Sequence, residues 1–218
     1  MNQKKQCCRI PLDKRALPGA VLLIILSLMS LSLISAQVVV SATLFCLFLH
    51  LSFFRDPCRE PAGEGVLSPA DGKIVEISIC DESRFIHGKA IKIGIFLSVL
   101  NVHVNRMPWG GTLEWQEHIP GKFLDARDPE SAIQNECNWM GFCEGNRKFV
   151  VRQISGMIAR HIHWDVKKGE TLARGDKMGM ICYGSRAELY LPAEEFETLG
   201  HLGDVVKSAE TVVGIWKK

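Results

Sequence analysis

The chain has 218 residues and a formal net charge of +2, enough for one ordinary domain with a short appended segment. No long basic run with interleaved aromatics occurs, which argues against nucleic-acid binding. Its eight cysteines are scattered, with no C-x-x-C pair and no histidines at zinc spacing beside them. That is the pattern of reduced thiols facing a cytosol, not of a disulfide framework or a zinc site.

Residues 1–15 form a polar, basic tail, with Lys4, Lys5, Arg9, Lys14 and Arg15 against a single Asp13. From Ala16 to Phe54 there is no Asp, Glu, Lys or Arg. This run is much longer than the apolar core of a signal peptide. At 1.5 Å per residue it also exceeds what one helix needs to cross about 30 Å of hydrocarbon. It weakens at Ser35-Ala36-Gln37, which predicts two short helices over about 18–34 and 38–54. The pair reads as a transmembrane hairpin occupying 16–54, its two basic flanks both cytoplasmic. One long tilted or interfacial helix is the other reading. Residues 55–65 read as a linker with Pro57, Pro61 and Gly63, where Arg55 and Arg59 sit at headgroup level or simply anchor the helix end.

From 66 to 218 the pattern is mainly β. Gly72–Cys80 and Lys89–Phe96 alternate with period two, and Thr112–Trp115, Lys148–Ile154, Met178–Tyr183 and Ala187–Leu191 are further strand-like runs. Short strands separated by Gly-rich turns predict an antiparallel sandwich or barrel. Gly72-Lys73-Ile74-Val75, answered by Lys168-Gly169-Glu170, resembles the barrel-sandwich of biotinyl and lipoyl carrier domains, without the lysine that would carry biotin. Helix is expected only around Pro192–Leu199, and Gly121–Arg147 reads as a long loop.

Within Gly179-Met-Ile-Cys-Tyr-Gly-Ser-Arg186, Ser185 places a hydroxyl beside the Gly184 carbonyl. If that peptide is strained, Oγ can attack the carbonyl, and elimination from the resulting ester cleaves the chain and leaves a pyruvoyl group at position 185. Gly-Ser is also an ordinary bend between strands. Three further motifs accompany it: Phe53-Phe-Arg-Asp-Pro57, Leu67-Ser-Pro-Ala-Asp-Gly-Lys73, and Phe96-Leu-Ser-Val-Leu-Asn-Val-His-Val-Asn-Arg-Met-Pro108. In this order and spacing the four resemble the short, membrane-anchored class of phosphatidylserine decarboxylase proenzymes, from about Leu17 to the C-terminus.

The resemblance implies that Ser185 becomes the pyruvoyl cofactor and that the mature enzyme consists of chains 1–184 and 185–218. A pyruvoyl group is an electron sink, as pyridoxal phosphate is elsewhere. His103 matches the family's histidine motif and is the candidate acid that returns a proton after loss of CO₂. A regular strand would put Asn101, His103 and Asn105 on one face and Val102, Val104 and Arg106 on the other. The long bacterial class has a second histidine where this chain has Arg106, so its Asp-His-Ser self-processing arrangement does not carry over whole, and His103 is a candidate for both steps. Asp71 is either half of an Asp-Gly turn or a carboxylate that orients an imidazole.

Arg106, Arg186 and Asn105 are the candidate substrate-binding residues, since a guanidinium forks onto phosphate or carboxylate; Lys73, Arg152 and Arg160 are weaker ones. His161 and His163 face one side of a strand without a third ligand, so no metal is expected. The implied activity converts phosphatidylserine to phosphatidylethanolamine and CO₂. The implied setting is the inner membrane, with the catalytic domain facing the cytoplasm and processed protomers paired in a homodimer. Two alternatives stand: the same chemistry on another serine-headgroup lipid, and a non-enzymatic, anchored, carrier-like β domain. A serine hydrolase fits less well, because no G-x-S-x-G elbow surrounds Ser185.

Overall fold

The computed structural model describes residues 12–30, 36–125, 128, 130–157, 161–182 and 185–217. Most of the basic tail, the start of the turn expected at residues 35–37, Arg160 and Gly184 lie outside them. The chain divides into two units, Met1–Cys58 and Arg59–Lys218.

The uncharged run folds as two helices, α1 (Ala16–Ser30) and α2 (Ala36–Phe53). Asp13 starts α1: its carbonyl accepts from Ala16 N–H at 3.0 Å and its carboxylate from Arg15 N–H at 2.9 Å. His50 Nε2 on α2 donates to the Ala16 carbonyl at 2.8 Å, and Asp13 N–H to the Phe54 carbonyl at 2.8 Å, so the two helices close into a hairpin. Leu17, Val21, Leu22, Ile25, Leu44, Phe45 and Phe48 point outward. The helical hairpin therefore forms, but the expected transmembrane crossing is corrected. Among the described residues no helix is long and apolar enough to cross a membrane.

The second unit is almost entirely β. Its strands are β1 (Val66–Leu67), β2 (Gly72–Glu82), β3 (Gly88–Leu97), β4 (Val104–Arg106), β5 (Gly111–Ile119), β6 (Cys137–Glu144), β7 (Arg147–Ile154), β8 (Ile162–Trp164), β9 (Thr171–Leu172), β10 (Lys177–Ile181), β11 (Ser185–Pro192), β12 (Phe196–Thr198), β13 (Val205–Val206) and β14 (Val212–Trp216), with one short helix, α3 (Ser131–Gln134). A curled antiparallel sheet carries eight of them in the order β13-β2-β3-β11-β7-β6-β5-β9, and two three-stranded sheets, β1-β14-β12 and β4-β10-β8, complete the unit. The mainly β, antiparallel architecture expected from the alternating runs is present.

Alternation fixes which side chains meet. Ile93, Ile95 and Leu97 of β3 and Ala187, Leu189 and Leu191 of β11 enter the main core with Phe149, Val151, Met140 and Phe142. The other face of the sheet is covered as well, by Phe85, Cys137, Trp139, Val150, Ile154 and Tyr190. Double burial explains one correction. Residues 121–147 are not one long loop; they contain α3 and β6, a strand paired with both β5 and β7. Cys137–Phe142 is buried at every position, so no two-residue period marks it. A second correction concerns Pro192–Leu199. β11 runs to Pro192, and after a turn β12 pairs with β14. Burial of Phe196 against Trp216 outweighs the local helical preference of Ala-Glu-Glu.

Candidate active site

Ser185 is the first residue of β11, opposite Leu97 of β3, and shares its sheet face with Ala187 and Leu189. It is 0% exposed, and its Oγ has no hydrogen-bond partner among the described residues. An orphaned buried hydroxyl costs about 1–3 kcal/mol, and natural folds keep few of them. A nucleophile held ready for an adjacent carbonyl is one physical reason to keep one. The adjacent residue, Gly184, lies outside the described residues.

Three chain segments converge on this strand end. β10 leads to Ser185, and its last residue, Ile181, donates its N–H to the His103 carbonyl at 3.2 Å. β4 continues from His103, and Arg106 N–H donates to the Pro69 carbonyl at 2.9 Å. Pro69 opens the Pro-Ala-Asp-Gly turn into β2, whose Lys73 lies opposite Phe96, the residue before the partner of Ser185. Gly72 is obligatory in that turn: its φ is +153°, and a Cβ there would lie 2.1 Å from the Phe96 carbonyl oxygen.

His103 is fully buried, with Nδ1 3.0 Å from the Asn101 carbonyl. A carbonyl only accepts, so Nδ1 carries a proton, and Nε2 is the nitrogen that is the acceptor whenever the ring is neutral. The expected alternation is shorter than a strand through Asn101 would make it: β4 begins at Val104, and Asn101 instead closes a turn, its Oδ1 accepting from Ser98 N–H at 2.9 Å and Ser98 Oγ–H at 2.7 Å. Asn105 is buried, accepting at Oδ1 from Gln153 Nε2 at 2.8 Å and facing the Pro69 carbonyl at 3.4 Å.

The buried Asp71 carboxylate is gripped by both terminal nitrogens of Arg59, Nη2 to Oδ2 at 2.8 Å, and by Ser208 N–H at 2.8 Å. Arg59 Nη1 also donates to Ser208 O and Oγ, each at 2.8 Å.

The family model of phosphatidylserine decarboxylase matches residues 47–214. The chain belongs to that family. Relatives carrying the name phosphatidylserine decarboxylase proenzyme include those of Symbiobacterium thermophilum, 41% identical over 165 residues (74% of this chain, 76% of the relative), and Carboxydothermus hydrogenoformans, 42% identical over 173 residues (78% and 81%). That of Geotalea uraniireducens is 39% identical over 196 residues, 88% of each chain. This phosphatidylserine decarboxylase family member is thus a carboxy-lyase, and its relatives are named as proenzymes.

The other residues singled out from this decarboxylase's sequence are placed differently. Arg106 is half-buried, and its Nη1 reaches the Gly175 carbonyl at 3.4 Å. Arg186 lies on the sheet face opposite Ser185. There its Nε donates to Glu188 at 2.9 Å, and its Nη2 pairs with Glu76. Gly94 makes room for it, since a Cβ would sit 2.6 Å from Arg186 Nη2. Arg152 joins the same cluster, bonding Glu188 at 3.1 Å and lying over the Trp139 ring. His161 and His163 flank Ile162 of β8, and no group of three metal-binding side chains occurs among the described residues.

Two residues of the neighbourhood have roles that local sequence does not mark. Arg59 is the last position of the Arg55-Asp-Pro-Cys-Arg59 run, a regularity that marks it only once Asp71 is known to need a cation. Gln153 is the single uncharged polar side chain of Phe149–Ile154, at a position that alternation sends to the Ser185 face.

Burial pushes the Glu188 carboxyl up, but Arg152, Lys92 and Arg186, with a hydrogen bond from Tyr190, outweigh it and hold it below the usual carboxylate range. A group depressed in the folded state stabilises above its unfolded pKa, near 4.5, and loses that contribution as pH falls through the folded value. Glu188→Ala leaves buried cations without their central anion, which costs about 3–5 kcal/mol. The melting temperature at neutral pH is expected to drop by about 10 °C, and Glu188→Gln to flatten the acid limb of stability against pH. An unshifted melt for Glu188→Ala would show that the cluster contributes no net stability.

Proposed function

We propose that this chain decarboxylates phosphatidylserine to phosphatidylethanolamine and CO₂ by means of a pyruvoyl group made from its own Ser185. The observation that carries the reading is the buried Ser185 Oγ at the head of β11, which has no hydrogen-bond partner among the described residues. That orphaned oxygen is also what makes the position fit such a group.

In the maturation step Ser185 Oγ bonds to the Gly184 carbonyl carbon, the Gly184–Ser185 C–N bond breaks, and the nitrogen takes up a proton. Loss of the Ser185 Cα proton then expels Gly184 as a carboxylate, and water replaces the enamine nitrogen, which leaves as ammonia. The pyruvoyl carbonyl supplies an electron sink for the pair released with CO₂. His103 serves both stages with the Nε2 lone pair, taking a proton during maturation and giving one to the product. Arg59 and Ser208 hold Asp71 in place. Arg106, on the His103 segment, is the guanidinium we assign to the substrate's phosphate or carboxylate; Arg186 is committed to Glu188 and Glu76.

The uncharged outer faces of α1 and α2 support placing the hairpin within one leaflet of the inner membrane, Lys14, Arg15 and Arg55 at its cytoplasmic open end. Flotation with liposomes is expected for the full chain and not for a chain lacking residues 16–53; equal flotation would remove the anchor.

Intact-mass analysis tests the central reading. The purified protein is expected as chains of 184 and 34 residues, the smaller blocked by pyruvoyl. One chain of full translated mass, unaltered under conditions that support decarboxylation, overturns it. A panel of serine-headgroup lipids then separates phosphatidylserine from its analogues.

A further inference from the structure

The two ends of the eight-stranded sheet differ in chemistry. At the end away from Ser185, the β2–β3 hairpin exposes Asp81, Arg84 and Lys89, and the β6–β7 turn exposes Glu144, Asn146 and Arg147. At the Ser185 end five large apolar side chains are exposed, among the charged Lys73, Lys122, Asp128 and Glu130: Val99 and Leu100 in the turn after β3, Phe123 after β5, Ile133 on α3 before β6, and Met157 after β7. Strand register puts them there, because Ser185 is opposite Leu97, Arg186 opposite Ile154, and Cys137 opposite both Ile154 and Ile119. Strand spacings of about 4.8 Å keep the rim within about 15 Å of β11. Leu100 is 77% exposed, Ile133 82% and Met157 58%.

These side chains are held out by fixed backbone. Asn101 locks the 98–101 turn from both sides, through Oδ1 and through its N–H, which donates to the Ser98 carbonyl at 2.9 Å. Asn135 braces the other segments: its Nδ2 donates to the Leu124 and Ser155 carbonyls, both at 2.9 Å, and its Oδ1 accepts from Leu124 N–H at 2.7 Å. Large exposed apolar side chains gathered with a few charges at one end of a sheet, and absent from the described hairpin turns at the other end, mark an interaction surface.

We infer that this rim is where the catalytic unit docks on a phospholipid bilayer. The inference rests on the reading of a diacyl phospholipid as substrate. Such a lipid keeps its acyl chains in the bilayer, so its headgroup meets the buried Ser185 only if the Ser185 end of the sheet lies against the membrane surface. The rim occupies that end, and Leu100 is three residues from His103. A protein partner would leave the lipid without this approach.

The test uses the full-length processed protein and vesicles of phosphatidylcholine and phosphatidylglycerol, which contain no substrate. Amide exchange is expected to slow at 98–101, 131–135 and 155–157 when vesicles are added, and to stay unchanged at 83–88 and 144–147. Unchanged exchange along the rim overturns the inference. A second measurement uses the triple variant Leu100→Asp, Ile133→Asp, Met157→Asp. The lipid concentration for half-maximal rate on phosphatidylserine vesicles is expected to rise about tenfold or more, since three apolar contacts are lost, while the rate on a monomeric short-chain phosphatidylserine stays the same. Equal vesicle kinetics also overturns it. Rim protection by vesicles in a protein that turns over neither lipid form would sustain docking and refute the substrate reading instead.

Discussion

Ser185→Ala is expected to remain one 218-residue chain and to release no CO₂ from phosphatidylserine. The alanine methyl keeps Cβ and removes only Oγ. That residue is 0% exposed and its Oγ has no hydrogen-bond partner among the described residues, so its removal leaves none of them unpaired and relieves an unsatisfied group, worth about 1–3 kcal/mol. The β3–β11–β7 ladder on either side of position 185 is backbone-bonded and survives the change. The melting temperature of the uncut variant is therefore expected to hold or rise slightly. That result matters because it separates lost chemistry from lost fold: a melt as good as wild type, one mass and no product assigns the whole defect to Oγ. An active, uncut Ser185→Ala protein would refute the pyruvoyl account outright.

What could be read from sequence follows from how each residue is buried. β2, β3 and β11 showed themselves because aliphatic and other side chains alternate along them. β6 was hidden because Cys137–Phe142 is enclosed on both faces. It was hidden too because Asn138 looks like a loop residue until Gln116 and Gln153 are seen to satisfy its amide, at 3.1 and 3.3 Å. Arg186 drew attention as the neighbour of Ser185, yet neighbours on a strand face opposite ways, and that rule alone placed it away from the serine. Arg59, near the helix end, reads from sequence as a headgroup-level residue or a simple anchor of that end. Its partners are 12 and 149 positions away, at Asp71 and Ser208, and only the closed fold brings them together.

His103→Ala is expected to lower decarboxylation by about 10²–10⁴-fold, the usual loss when a positioned acid-base group is removed. The argument turns on what the substitution keeps. The bond from Ile181 N–H to position 103 goes to the main-chain carbonyl, so alanine retains it and the strand leading to Ser185 stays in register. What disappears is an imidazole whose Nδ1 is turned to the Asn101 carbonyl, which leaves Nε2 as the nitrogen that can exchange a proton. Because this ring is proposed for both stages, the variant should also accumulate uncut chain, and the two defects separate in one preparation: the cut fraction reads maturation, and turnover per cut chain reads decarboxylation. The vacated space is buried and shaped for the same ring, so added imidazole should recover part of the rate if proton transfer is what was lost, and none if the histidine only packed. Full turnover per cut chain without imidazole would assign the proton to another group and leave His103 as a structural residue of the β4–β10 pair.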